Sequence, residues 1–187
     1  MVEGGSDGPL TPEQHQELAD AGERARVLGR ARKIAAFNAW TIGGFAAITL
    51  VFGLTSPVAM ILGIGMAIVA RTEFRGLALL KRFDAGGPRL LAKNQLGFMA
   101  LIVGYCCWSI YGTLYGPGPD LAGLDQILGD TGDLITDLIV IVYLSVIAAT
   151  VVFQGLTARY YWTRARLVEE YLRDTPAWVV QMQRELG

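Results

Sequence analysis

The sequence predicts an all-α integral membrane protein, a four-helix bundle of transmembrane spans flanked by amphipathic helices that are cytoplasmic or lie at the interface. Three observations lead there. Long stretches carry no ionised side chain. The composition is 52% hydrophobic and 18% charged, against a charged share of roughly 25% in soluble domains, and mean hydropathy is +0.39. Every Lys and Arg falls in a segment that a four-span threading places on one side.

The chain of 187 residues is long enough for one domain with a sizeable core. Its first twenty residues, "MVEGGSDGPLTPEQHQELAD", are acidic and glycine-rich, unlike the basic start and apolar stretch of a signal peptide. The first apolar segment is therefore expected to stay in the mature protein. Residues 1–33 are expected to form a cytoplasmic tail. Thr11 offers a helix cap, Pro12 suits the first helical position and Gln14 completes a capping box, so a tail helix should run up to the first span.

Between Ile34 and Ala70 no side chain is charged. A single helix of that length would be about 55 Å long, against a hydrocarbon core of about 30 Å. The run must fold back, and "GLTSP" supplies the break: Gly53 suits a helix end, Thr55 or Ser56 a cap, and Pro57 a first turn. The first two spans are placed near 35–54 and 57–74, with Arg71 snorkelling to the interface beside Phe74. The third falls near 96–115 within the uncharged run from Asn94 to Pro119. The fourth, near 134–156, has the strongest hydropathy and one acid, Asp137, in its first turn. The transmembrane domain thus occupies residues 34–157, followed by a cytoplasmic helical extension over 158–187.

Orientation follows from charge. Lys and Arg, 16 in all, occur before the first span, between the second and third, and after the fourth. The "GLTSP" turn and the loop "GPGPDLAGLDQILGDTGD" contain none, and the loop carries Asp120, Asp125, Asp130 and Asp133. By the positive-inside rule both termini and the middle loop are cytoplasmic, in a cell membrane. Tyr105, Trp108, Tyr111 and Tyr115 then approach the outer interface, where ring bodies favour lipid and their polar tips favour water. Tyr160, Tyr161 and Trp162 are expected to form the matching inner belt.

Helices in lipid gain little by hiding apolar surface from one another, so close packing relies on small residues. Ala39, Gly43 and Ala47 in the first span, and Ala59, Gly63 and Ala67 in the second, recur at four-residue spacing and predict a tight hairpin. In the fourth span Thr136, Tyr143, Thr150 and Thr157 recur every seven residues and Gln154 joins them, opposite a smaller patch of Ser109, Gly112 and Thr113 in the third. The seam of Tyr143, Thr150, Gln154 and Ser109 is the candidate polar site. It reads as a hydrated path or as interhelical hydrogen bonding, and threonines can also bond their own backbone.

Asp130, Asp133 and Asp137 cluster at a helix start, where the helix dipole accounts for them without a cation; they lack the ligand spacing of a calcium loop. "RTEFRGLALLKRFDAGG" is a basic amphipathic segment that either lies on the inner leaflet or extends the second span as a helix. "RDTPAWVVQMQREL" repeats the capping signal with Thr175 and Pro176, and Trp178, Met182 and Leu186 share a face suited to an interface. The one histidine, His15, lies in the tail, the two cysteines are adjacent in an apolar run, and no phosphate-binding or dinucleotide motif occurs. The expectation is no catalytic, cofactor or metal site and no nucleic-acid partner. The partners expected are membrane lipids and a protein or a second copy of the chain. The role expected is a non-enzymatic scaffold or accessory subunit; a small oligomeric channel or transporter using the seam of spans three and four is the alternative.

Overall fold

The computed structural model describes residues 10–116 and 132–186, and the described residues form helices with no strand. The helices are α1 (Pro12–Gly53), α2 (Pro57–Lys81), α3 (Gly86–Tyr115), α4 (Gly132–Asp174) and α5 (Ala177–Leu186). The first four have the length and hydropathy to cross a bilayer. The chain is an all-helical membrane bundle.

α1 starts at the expected capping box, in which Gln14 N–H donates to Thr11 Oγ1 at 3.3 Å and Thr11 N–H to Gln14 Oε1 at 2.9 Å. Its 42 residues join tail and first span without a break, a rod of about 63 Å. At the following turn Ser56 caps α2, accepting from Ala59 N–H, while the Thr55 hydroxyl turns back to donate to Phe52 O. α2 continues past the expected end of the second span to Lys81, so the basic amphipathic segment extends that span as a helix. α4 likewise runs unbroken for 43 residues.

The spans pack in a row, α1 on α2, α2 on α3 and α3 on α4, and the row closes where α1 also meets α4 and α5. That end carries both ends of the described chain and the α2–α3 corner. There Leu28, Ala31 and Ala35 of α1, Leu80 and Phe83, Leu91 and Ala92 of α3, Tyr161, Val168 and Tyr171 of α4, and Val179 and Val180 of α5 form one buried core. This head is built like a soluble domain. The apolar segments beyond it are not: no residue is buried in the most apolar window of α4, and 6% are in that of α3. Faces so rich in exposed Ile, Val and Phe suit hydrocarbon and would aggregate in water.

The α2–α3 corner is unusually constrained. Phe83 follows the α2 cap with φ 53°, the left-handed region that normally selects glycine. Its N–H donates to Leu80 O, and Asp84 N–H donates to Leu79 O, the paired bonds of a Schellman ending. The strain is held by packing. Phe83 is 3% exposed; it stacks on Tyr171 with ring centroids 5.0 Å apart and lies 4.3 Å beneath the Arg32 guanidinium. Four residues on, Gly87 lets α3 turn back against α2: a Cβ there would sit 2.8 Å from Leu80 N.

Arginines close the head by capping helix C-termini, where unpaired carbonyls and the negative end of the dipole collect. Arg32 donates to Lys81 O at 3.1 Å and Arg184 to Arg82 O at 2.8 Å, both at the end of α2. Arg24 donates to Asp174 O at the end of α4 at 2.8 Å. α5 does not present Trp178 and Met182 as a free interfacial face. It buries Val179 and Val180, half-buries Trp178, and the indole N–H of Trp178 donates to Glu17 on α1 at 3.1 Å. Thr175 is buried beside α4 and caps no α5 N–H.

Candidate functional site

Two places combine polar groups with the interior of the bundle. The first is the seam of α3 and α4. Thr136, Tyr143, Thr150, Gln154 and Thr157 are all half-buried amid exposed neighbours, so the seven-residue stripe faces α3. In the half away from the head, Tyr143 and Ser109 line a groove of about 610 Å³ with Tyr105, Trp108 and Thr113. The Tyr105 and Tyr143 rings meet edge-on at 6.2 Å. Thr150 and Gln154 lie closer to the head and do not line this groove. Two threonine hydroxyls of the seam are spent within their own helices: Thr113 donates to Ser109 O and Thr157 to Phe153 O.

The small-residue stripes fall partly on the α1–α2 contact. Ala39 and Gly63 are buried, and a Cβ on Gly63 would lie 2.9 Å from the Leu50 side chain. A Cβ on Gly43 would lie 3.9 Å from Ala70 Cβ. Ala59 and Ala67 are half-buried, and Ala47 is exposed, its place at the contact taken by Ala46. The geometry explains the drift. A strict step of four residues advances about 40° beyond a full turn, whereas a straight contact alternates three and four. The buried positions of α1 do alternate in that way: Ala21, Leu28, Ala35 and Ile42 recur at seven, as do Ala39, Ala46 and Gly53.

The second place was not read from the sequence. Where the head meets the apolar segments, four helices contribute five polar side chains to one layer: half-buried Asn38 of α1, buried Glu73 of α2, half-buried Asn94 and buried Gln95 of α3, and buried Tyr161 of α4. Glu73 is fully buried. Its Oε1 accepts from Gln95 Nε2 at 2.6 Å and Asn94 Nδ2 at 2.9 Å, and Asn94 Nδ2 also reaches Val69 O at 3.0 Å. Glu73 Oε2 has no partner. The ion pairs among the described residues, Arg89 with Glu169 and Arg173 with Asp174, lie at the surface of the head and do not involve it. A signal was available: Glu73 stands midway between Met66 and Leu80 on the seven-residue seam of α2, where a side chain must turn inward.

Tyr161 belongs to this layer rather than to an aromatic belt. It is fully buried, and Asn38 Nδ2 donates to its hydroxyl at 3.4 Å. Burial pushes its phenol pKa up, and the nearby Glu73 adds to the shift. Trp162, one residue on, is exposed. Adjacent helical residues point about 100° apart, so three consecutive rings cannot share one surface. Deeper in the head, burial lowers the Arg32 pKa, opposed by Tyr171. Burial raises the Tyr171 phenol, opposed by hydrogen bonding and by Arg24 and Arg32.

Asp133 and Asp137 are exposed on the first turns of α4, Asp130 lies outside the described residues, and no three His, Cys, Asp or Glu side chains among the described residues converge as metal ligands. No family model, curated protein or solved structure matches the chain. The functional reading therefore rests on geometry.

Proposed function

We propose that the chain is a non-enzymatic scaffold or accessory subunit of a membrane complex in a cell membrane, with its head and both termini in the cytoplasm. The observation that carries this reading is the contrast between the two halves of the molecule. The head is a packed unit, with a left-handed residue at its α2–α3 corner, capped helix ends and a continuous core. The apolar segments of α3 and α4 leave almost all their surface for lipid or a partner helix. A packed platform joined to a lipid-exposed membrane face suits an adaptor, because a preorganised surface loses less ordering entropy when a partner docks. Exposed Lys33, Arg71, Arg75, Lys93 and Arg159 ring the bundle where the head begins, which favours that end as cytoplasmic.

The test is a native-mass measurement after extraction in mild detergent. Co-isolation with a stoichiometric partner, or a defined oligomer, is expected; a partner-free monomer under every mild condition contradicts the reading. One observation favours the alternative of a small oligomeric channel or transporter, namely the Tyr105, Ser109 and Tyr143 groove. Self-association would be required to close it, and liposome flux that responds to Tyr143→Phe or Ser109→Ala would establish transport in place of scaffolding.

A further inference from the structure

A second groove lies between α3 and α4, at the level where the apolar segments enter the head. Its volume is about 480 Å³, within the range of specific small-molecule sites. Its lining changes character along its length. Leu96, Gly155 and Ala158 form an apolar floor on the membrane side, and Arg159, Trp162 and Arg166 stand toward the head. Arg159 and Arg166 are seven residues apart on one helix, hence on the same face about two turns from each other.

These two arginines differ from those that build the head. Arg24, Arg32 and Arg184 bond helix carbonyls, Arg89 and Arg173 pair with acids, and Arg164 lies 4.6 Å over the Tyr160 ring. Arg159 and Arg166 make no hydrogen bond or ion pair among the described residues, and both are exposed. An apolar groove ending in an indole and two guanidiniums that are unpaired among the described residues matches a ligand with a hydrocarbon tail and an anionic head. Guanidinium binds phosphate through paired N–H donors, and an interfacial Trp is suited to the depth between chain and headgroup.

We infer that this groove holds one anionic phospholipid of the cytoplasmic leaflet, its phosphate bound by Arg159 and Arg166 and an acyl chain lying along Leu96, Gly155 and Ala158. The inference rests on the membrane orientation proposed above. It adds a built site to the general attraction of a basic surface for acidic lipid: the headgroup is held by two particular residues, and the tail is held by a floor that can be filled.

The experiment places the full chain in bilayer discs of mixed phosphatidylglycerol and phosphatidylcholine, extracts it gently, and counts retained lipids by native mass spectrometry. The wild type is expected to keep one phosphatidylglycerol. Arg159→Gln/Arg166→Gln should lower retention about fivefold for each charge removed, and Arg26→Gln/Arg30→Gln, exposed on α1, should leave it unchanged. Gly155→Leu tests the floor without touching charge: a Cβ at Gly155 meets nothing within 4 Å, so the new side chain occupies the groove instead of straining the helix. It should expel the lipid while leaving the melting temperature near that of the wild type, and it decides the matter if the double variant fails to fold. Equal retention by wild type and Gly155→Leu, equal retention of phosphatidylcholine, or equal loss in the α1 control would overturn the site. Recovery of the chain from an aqueous fraction without detergent would instead overturn the membrane reading itself.

Discussion

Phe83 sets two effects of opposite sign against each other, which makes its replacement a sharp test of the head. Removing a buried phenyl ring costs about 3 to 5 kcal/mol, and here the ring also stacks on Tyr171 and lies beneath Arg32. Phe83→Ala should lose this amount and keep the backbone strain, because a Cβ at φ 53° remains. Phe83→Gly loses the same ring but removes the left-handed penalty of about 1 to 2 kcal/mol. Glycine's larger unfolded-state entropy takes back about 0.4 to 1 kcal/mol, leaving a net advantage over alanine between about 0 and 1.6 kcal/mol and centred near about 0.8 kcal/mol. At about 2 to 4 °C per kcal/mol for a chain of this size, Phe83→Ala should melt about 6 to 20 °C below wild type. At that central value Phe83→Gly should melt about 2 to 3 °C above Phe83→Ala. The assay is thermal unfolding in detergent micelles followed by Trp178 fluorescence, with Trp40, Trp108 and Trp162 replaced by Phe so that the signal reports the head. A glycine variant less stable than the alanine variant would refute the strained corner. An alanine variant that melts with the wild type would refute the core around it.

Further outcomes follow from the same geometry. Gln95→Leu strips a donor from the buried Glu73 carboxyl and should cost about 1 to 3 kcal/mol, read as a lower melting temperature. Gly87→Ala forces a Cβ to 2.8 Å from Leu80 N, a backbone atom unable to swing aside, and should destabilise by about 1 to 3 kcal/mol in the same melt. Tyr161 supplies a pH dependence. Its folded-state pKa is raised, so above the unfolded value of about 10 the unfolded chain has released a proton that the folded chain keeps. Stability should therefore fall as pH rises past about 10, and Tyr161→Phe should show a shallower fall in melts across that range.

Much of the membrane half was legible because its code is coarse. Uncharged runs of span length, the Gly53 to Pro57 break and the Thr11 capping box each depend on local chemistry, and each helix forms where those signals stand. The head was harder to read. Val179 and Val180 become core only because α5 folds back on α1 and α2, a long-range contact with no local signature. Trp178 and Met182 share a face that suits an interface in sequence for the same reason: amphipathicity reveals an apolar side but not whether lipid or protein covers it. The candidate seam was legible as a stripe, since Thr136, Tyr143 and Thr150 recur at seven, but the stripe could not show that Tyr143 and Ser109 border a groove while Thr150 and Gln154 do not. Glu73 stands among the cations of a basic amphipathic segment, whose composition points to the inner leaflet; its register with Met66 and Leu80 turns it inward.

Cysteine labelling in intact cells reads out whether four crossings keep the head and both ends of the chain on one side of the membrane. With Cys106 and Cys107 replaced by Ala, single cysteines are introduced in place of Glu13, Thr55, Arg82 and Glu185, and a membrane-impermeant thiol reagent is applied before and after permeabilisation. Thr55→Cys should label from outside, and Glu13→Cys, Arg82→Cys and Glu185→Cys only once the membrane is opened. Labelling of Glu13→Cys and Glu185→Cys from opposite sides would contradict this arrangement.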